Sequence, residues 1–221
     1  MARIARDGTV GRARWGATWE RALPALALAG PGVGLVAALI RAAGIGTLGG
    51  ELDWISEPGG LVLTYATPFM VATFFVLGRR IADQSFRLGL AVTGLGVAGV
   101  INLAFIAQLR LFLGTLTDNG FDPDALNAAF ESPSAWELGL LPLNAVGLLT
   151  WMVAGIGVLK TKVAPAWSGV ALVLGTPAVI TAQAVNFQLE LFWPLGMALW
   201  LAGVWGVVRS DGAQTQKPAA N

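Results

Sequence analysis

Between Arg87 and Arg110 the chain carries no charge. The 22 residues enclosed, Leu88 to Leu109, read LGLAVTGLGVAGVINLAFIAQL. As a helix rising ~1.5 Å per residue they would extend about 33 Å, enough to cross the ~30 Å hydrocarbon core of a bilayer. Lipid offers no hydrogen bonds to the backbone, so a stretch of this kind must be helical to cross. It contains Gly94, Gly96 and Gly99, no proline, and one amide well inside it, Asn102.

Composition extends that inference to the whole chain. Only 12% of the 221 residues are charged, about half the fraction of an ordinary soluble domain (~25%). A net charge of +1 gives no electrostatic basis for binding nucleic acid. The absence of cysteine and histidine excludes disulfides, thiolate metal sites, histidine-ligated haem and Cys- or His-based catalysis. Asp118, Asn119, Asp122 and Asp124 offer oxygen ligands, but DNGFDPD lacks the EF-hand spacing and its terminal glutamate, and reads as a solvated acidic turn. No cofactor or metal is expected.

Six spans follow from the hydropathy pattern, giving an all-α, polytopic helix bundle. Residues 1–20 form a basic segment, lying on the surface or without order, and residues 21–208 hold the spans. Residues 209–221 read as a disordered tail. The first apolar stretch, Leu23 to Ala43, reads as a retained span, since no small-x-small cleavage site stands out after it. The others are Leu61–Gly78, Leu88–Leu109, a span that a Ser134–Glu137 capping box opens and that ends near Leu159, Ser168–Phe187, and Leu191–Val208. A short surface helix is expected from Pro123 to Glu131. Proline lies within five spans, at Pro31, Pro68, Pro142, Pro177 and Pro194, as is common in membrane helices. Thr67–Pro68 and Thr176–Pro177 hint at an inverted three-plus-three repeat.

Charge sets an orientation. With both termini on the cytoplasmic side, twelve of the fourteen Lys and Arg residues fall inside, and only Arg41 and Arg110 outside. Nine of the thirteen carboxylates fall outside. The positive-inside rule thus places both termini in the cytoplasm of a bacterial inner-membrane protein. Trp54, Trp136 and Trp193 then mark the outer boundary, and Trp15, Trp19, Trp167 and Trp205 the inner one.

The polar residues within the spans gather in the outer half. Counting ~1.5 Å per residue, Asn102 lies ~10 Å below the outer boundary, Asn144 and Thr67 ~9 Å, and Gln183 ~6 Å. Tyr65, Gln108 and Asn186 lie just above. On a helical wheel Ala91, Gly94, Ala98 and Asn102 share a face, which makes the third span the expected central helix. Two readings of this layer stand: hydrogen bonds between helices that act as packing glue, or an outward-facing pocket for a small neutral or zwitterionic ligand.

The turn Lys160-Thr161-Lys162-Val163-Ala164-Pro165-Ala166-Trp167-Ser168-Gly169, together with the span count, resembles that of small six-span bacterial integral membrane proteins. The resemblance implies a helix bundle and brings no established activity. The leading expectation is a protein that binds or transports a small molecule, with the bilayer as its surroundings. The alternatives are a non-catalytic interaction or sensory subunit, and a membrane enzyme using the boundary residues Arg41, Arg110, Glu137 and Glu190. Nothing in the sequence names a protein partner or an oligomeric state.

Overall fold

A computed structural model describes the backbone of residues 2–47, 56–122, 125, 135–184 and 191–214, and the side chains of 18, 20–47, 56–122, 125, 142–182 and 191–210. Six long helices make up the described chain: α1 (Ala2–Ala42), α2 (Glu57–Ala82), α3 (Phe86–Asp118), α4 (Ala135–Thr161), α5 (Ala166–Ala184) and α6 (Phe192–Gln214). Five of them are long and apolar enough to cross a membrane, the make-up of a multi-pass membrane protein. The searched part of α5, Ala166–Ala182, is apolar but shorter.

The helices form a closed ring in chain order, each packed on its sequence neighbours, with α6 returning to α1. Every neighbouring pair runs antiparallel: Gly30 meets Thr73, Gly78 meets Gly89, Gly99 meets Gly147, Gly155 meets Gly169, Gly175 meets Gly196, and Gly34 meets Met197. The even-numbered helices α2, α4 and α6 also touch one another across the ring, so they form its centre. All six helices expose large apolar side chains outward, among them Leu39, Phe75, Ile101, Ile156, Leu174 and Leu195, a surface suited to lipid rather than water.

Several expectations change. The helix α1 begins at Ala2, so the basic segment expected to lie on the surface or lack order has helical backbone. The last helix likewise runs to Gln214, into the expected tail. The loop before the second span is shorter than its composition suggested. Ser56 caps α2, accepting a hydrogen bond from the Gly59 amide at 3.1 Å and donating to the Ile45 carbonyl at 2.7 Å. The third span continues past Arg110 to Asp118. Its packing residues are not the expected stripe either. Gly94 is exposed with nothing near it, whereas Gly89 and Gly96 pack on α2 and Gly99 on α4. The helix thus has two packing faces, on α2 and α4, and the centre of the bundle belongs to α2, α4 and α6 rather than to α3. The Pro123–Glu131 helix and the Ser134–Glu137 box lie outside the described side chains.

Proline explains two polar contacts. A proline at position i cannot bond the carbonyl at i−4. Pro31 thereby frees the Ala27 carbonyl, and buried Thr73 of α2 donates to it at 2.7 Å, closer than the 3.0 Å to its own-helix alternative, Phe69. Pro68 frees the Thr64 carbonyl, and Thr67 donates to that at 2.7 Å. Both carbonyls therefore keep a partner where lipid could supply none.

Candidate functional site

The site begins with a missing side chain. Gly99 and Gly147 bring α3 and α4 so close that a Cβ on Gly99 would collide with the Gly147 Cα. One turn away on each helix, this approach sets Asn102 against Asn144, and the Asn102 Nδ2 donates to the Asn144 Oδ1 at 3.3 Å. Asn102 is 4% exposed. A carboxamide can make about four hydrogen bonds. This contact uses one on each side chain, and no other bond of either is seen among the described residues.

Both amides line a cavity of about 80 Å³ enclosed by α2 through α6. Leu63 and Met70 of α2, Val100, Leu103 and Ile106 of α3, and Met197 of α6 supply apolar wall. Three aromatic side chains close its floor, one from each central helix. Phe74 lies 4.8 Å from Trp151 at a tilt, and Trp151 stacks on Trp200 at 4.5 Å. Beyond them Leu77, Ile81, Val158, Val204 and Val207 are fully buried, so the bundle is mostly apolar on that side, with Ser168 a buried hydroxyl there.

At the other end Arg110 lines the cavity, two turns of α3 from Asn102. It was read as the charge that stops the third span. Instead it is 3% exposed, inside the bundle. Gly60 of α2 leaves room for its stem, and its guanidinium lies over the Trp193 ring, 4.8 Å from the centroid. Trp193, expected in the boundary belt, is itself buried. Arg41 is also buried and close enough to Arg110 to repel it. Further interactions hold Arg41, Arg110 and Trp193. The arginines expected as boundary anchors are therefore core residues of this end. The Trp167 and Trp205 rings, 6.1 Å apart and exposed, do suit a boundary at the opposite end.

The other expected site residues divide. Thr67 serves the carbonyl that Pro68 frees and does not line the cavity. Tyr65 is 65% exposed on the outer surface of the ring. Gln108 is exposed too, and its Nε2 donates to Thr64 Oγ1 at 3.4 Å. Neither lines the cavity. The Gln183 and Asn186 side chains lie outside the described residues, as do those of Glu137 and Glu190. Thr176 is buried and donates to the Leu148 carbonyl of α4, whereas Thr67 bonds within its own helix, so the two Thr-Pro pairs serve different ends. Among the described residues no group of three or more acidic side chains is placed to hold a metal.

Comparisons with protein-family models, with curated proteins and with solved structures returned no match.

Proposed function

We propose that this protein binds, and passes across or senses at the membrane, a small polar solute held in the cavity between Asn102, Asn144 and Arg110. The convergence of these three side chains on one space, inside an otherwise apolar bundle, carries the reading. An ionisable group at membrane depth is costly and marks a ligand or ion pathway by default, and here Arg110 shares its cavity with the two amides. Two carboxamides and a guanidinium supply donors for a carbonyl or carboxylate, and the carboxamide oxygens accept from an N–H or O–H. The solute therefore carries a carbonyl or carboxylate for these donors, and is neutral, anionic or zwitterionic.

Size narrows this. The cavity volume of about 80 Å³ is roughly half that of the ~150 Å³ cavity that admits benzene. Solutes of a few heavy atoms, up to the size of glycine, fit it as it stands; a larger amino acid or a sugar would require the walls to part.

In this reading all six helices cross a bacterial inner membrane with both termini in the cytoplasm. The support is the distribution of Lys and Arg over the loops. The Arg110 end then faces outward, and the Phe74–Trp151–Trp200 layer closes the path inward.

The test uses purified protein and a panel of urea, acetamide, acetate and glycine. At least one should raise the melting temperature of the wild type, and replacing Asn102 and Asn144 together by leucine should abolish that rise while insertion persists. A rise that survives the double substitution would overturn the proposal. So would the absence of any rise, together with unchanged stability in the double variant. Loss of stability without any solute response would assign the amide pair to packing.

A further inference from the structure

A groove of about 1130 Å³ runs along the outside of the bundle between α1 and α2, separate from the cavity and more than ten times its volume. Its apolar walls are Leu23, Pro24 and Leu26 of α1 and Pro68, Phe69, Val71, Ala72, Phe75 and Val76 of α2. Its end carries four charged side chains: Glu20, Arg79, Arg80 and Asp83. Along α2 the distance from Pro68 to Val76 is ~12 Å and from Pro68 to Asp83 ~22 Å. Half of a bilayer's hydrocarbon core is ~15 Å deep, with headgroups beyond it. The apolar length thus matches the acyl region of one leaflet, and the charged end falls at headgroup level.

We propose that this groove holds a phospholipid whose headgroup carries both a phosphate and a primary ammonium, a phosphatidylethanolamine, with one acyl chain along Phe69, Ala72 and Phe75. The charge pattern selects this headgroup. Arginine donates in a fork that suits a phosphate. An anionic lipid that draws Arg79 and Arg80 to its phosphate offers Glu20 and Asp83 no cation in exchange. A choline headgroup has a cation but no N–H to donate. An ethanolamine ammonium donates to a carboxylate while its phosphate accepts from Arg79 and Arg80. Arg79 and Glu20 pair across α1 and α2 at 3.4 Å, both exposed. Such exposed pairs contribute only ~0–1 kcal/mol, so a headgroup can insert between them. Asp83 and Arg79 both act electrostatically on Arg80, which places all three at the same end of the groove.

Native mass spectrometry of the full chain, released from detergent with added dioleoyl phosphatidylethanolamine, phosphatidylcholine or phosphatidylglycerol, tests this. The ethanolamine lipid should be retained over the other two by about tenfold, the effect expected of one charge-assisted hydrogen bond. The E20Q/D83N pair should remove the preference over phosphatidylglycerol while leaving all basic residues that orient the chain in place. R79Q/R80Q should weaken all three lipids. Equal retention of the three lipids, a preference for phosphatidylglycerol, or a preference unchanged in E20Q/D83N would overturn the proposal. A second copy of the chain as occupant would appear as a dimer that added lipid does not dissociate, and would also overturn it.

Discussion

Thr73 shows how a single hydroxyl supports two helices. It fills the hydrogen-bond vacancy that Pro31 leaves at Ala27 and lies against Gly30, where a Cβ would stand 2.6 Å from its oxygen and 2.9 Å from the Met70 amide nitrogen. Replacing Thr73 by valine keeps the shape and removes the donor. The expected cost is about 1 kcal/mol, the usual size of such bonds between membrane helices, read as a lower unfolding midpoint; Thr73→Ser should restore most of it. Replacing Gly30 by leucine should cost several-fold more, because the atoms in its way include the Phe69–Met70 main chain, which cannot rotate away. Of the sequence-level expectations for single residues, the similar depth of Asn102 and Asn144 was legible because counting along two antiparallel helices is simple arithmetic; that these two pair was not. Thr67 was misjudged for a reason also written in the sequence: Pro68 follows it, and the carbonyl that proline frees lies one turn back, at Thr64. Arg110 and Trp193 were misjudged because a charge and a tryptophan ordinarily mark a membrane boundary. Their burial depends on Gly60 and on each other, a tertiary arrangement that hydropathy does not register.

At the scale of the helix pair, Gly99 and Gly147 fix the distance between α3 and α4, and the amide contact is a consequence of it. The prediction is that Gly147→Leu separates the two helices. A chain without cysteine allows a clean test. Cysteines at 102 and 144 should cross-link under mild oxidation in the wild-type background, and the added Gly147→Leu should suppress that product while Gly94→Leu, at an exposed position, leaves it intact. Cross-linking unaffected by Gly147→Leu would show that the glycines do not set the spacing. The helical wheel chose Ala91, Gly94 and Ala98 as the packing stripe of α3 because it sought one face. The helix packs on α2 through Gly89 and Gly96 and on α4 through Gly99, and a search for a single stripe averages over those two directions. The charge-free part of the helix, by contrast, was legible, since length and hydropathy are local properties, whereas its continuation past Arg110 to Asp118 was not.

The described residues form a ring of six antiparallel helices, three of which, α2, α4 and α6, meet at its centre, each giving one aromatic ring to a contact layer between them. This arrangement divides the interior into a cavity that holds the amide pair and Arg110 on one side and a mostly apolar, filled core on the other. Replacing Trp151 by alanine should open the aromatic layer, and vesicles carrying the variant should pass acetamide or urea faster than wild-type vesicles, by about tenfold or more if the layer is the main barrier. Equal rates would place the barrier elsewhere. The all-helical, membrane-crossing character followed from composition and hydropathy, whereas the closed ring and the aromatic layer depend on long-range packing.

The proposed function requires that the cavity be reached from its Arg110 end, that this end face outward, and that the Phe74–Trp151–Trp200 layer close the other way. A single cysteine at Ile106, between Asn102 and Arg110 on the cavity wall, measures this in oriented membranes with a small, anionic, membrane-impermeant methanethiosulfonate reagent. The account predicts modification from the extracytoplasmic side, slowed when Arg110 is replaced by glutamine, and none from the cytoplasmic side. Modification from the cytoplasmic side alone, or from neither side, would contradict it.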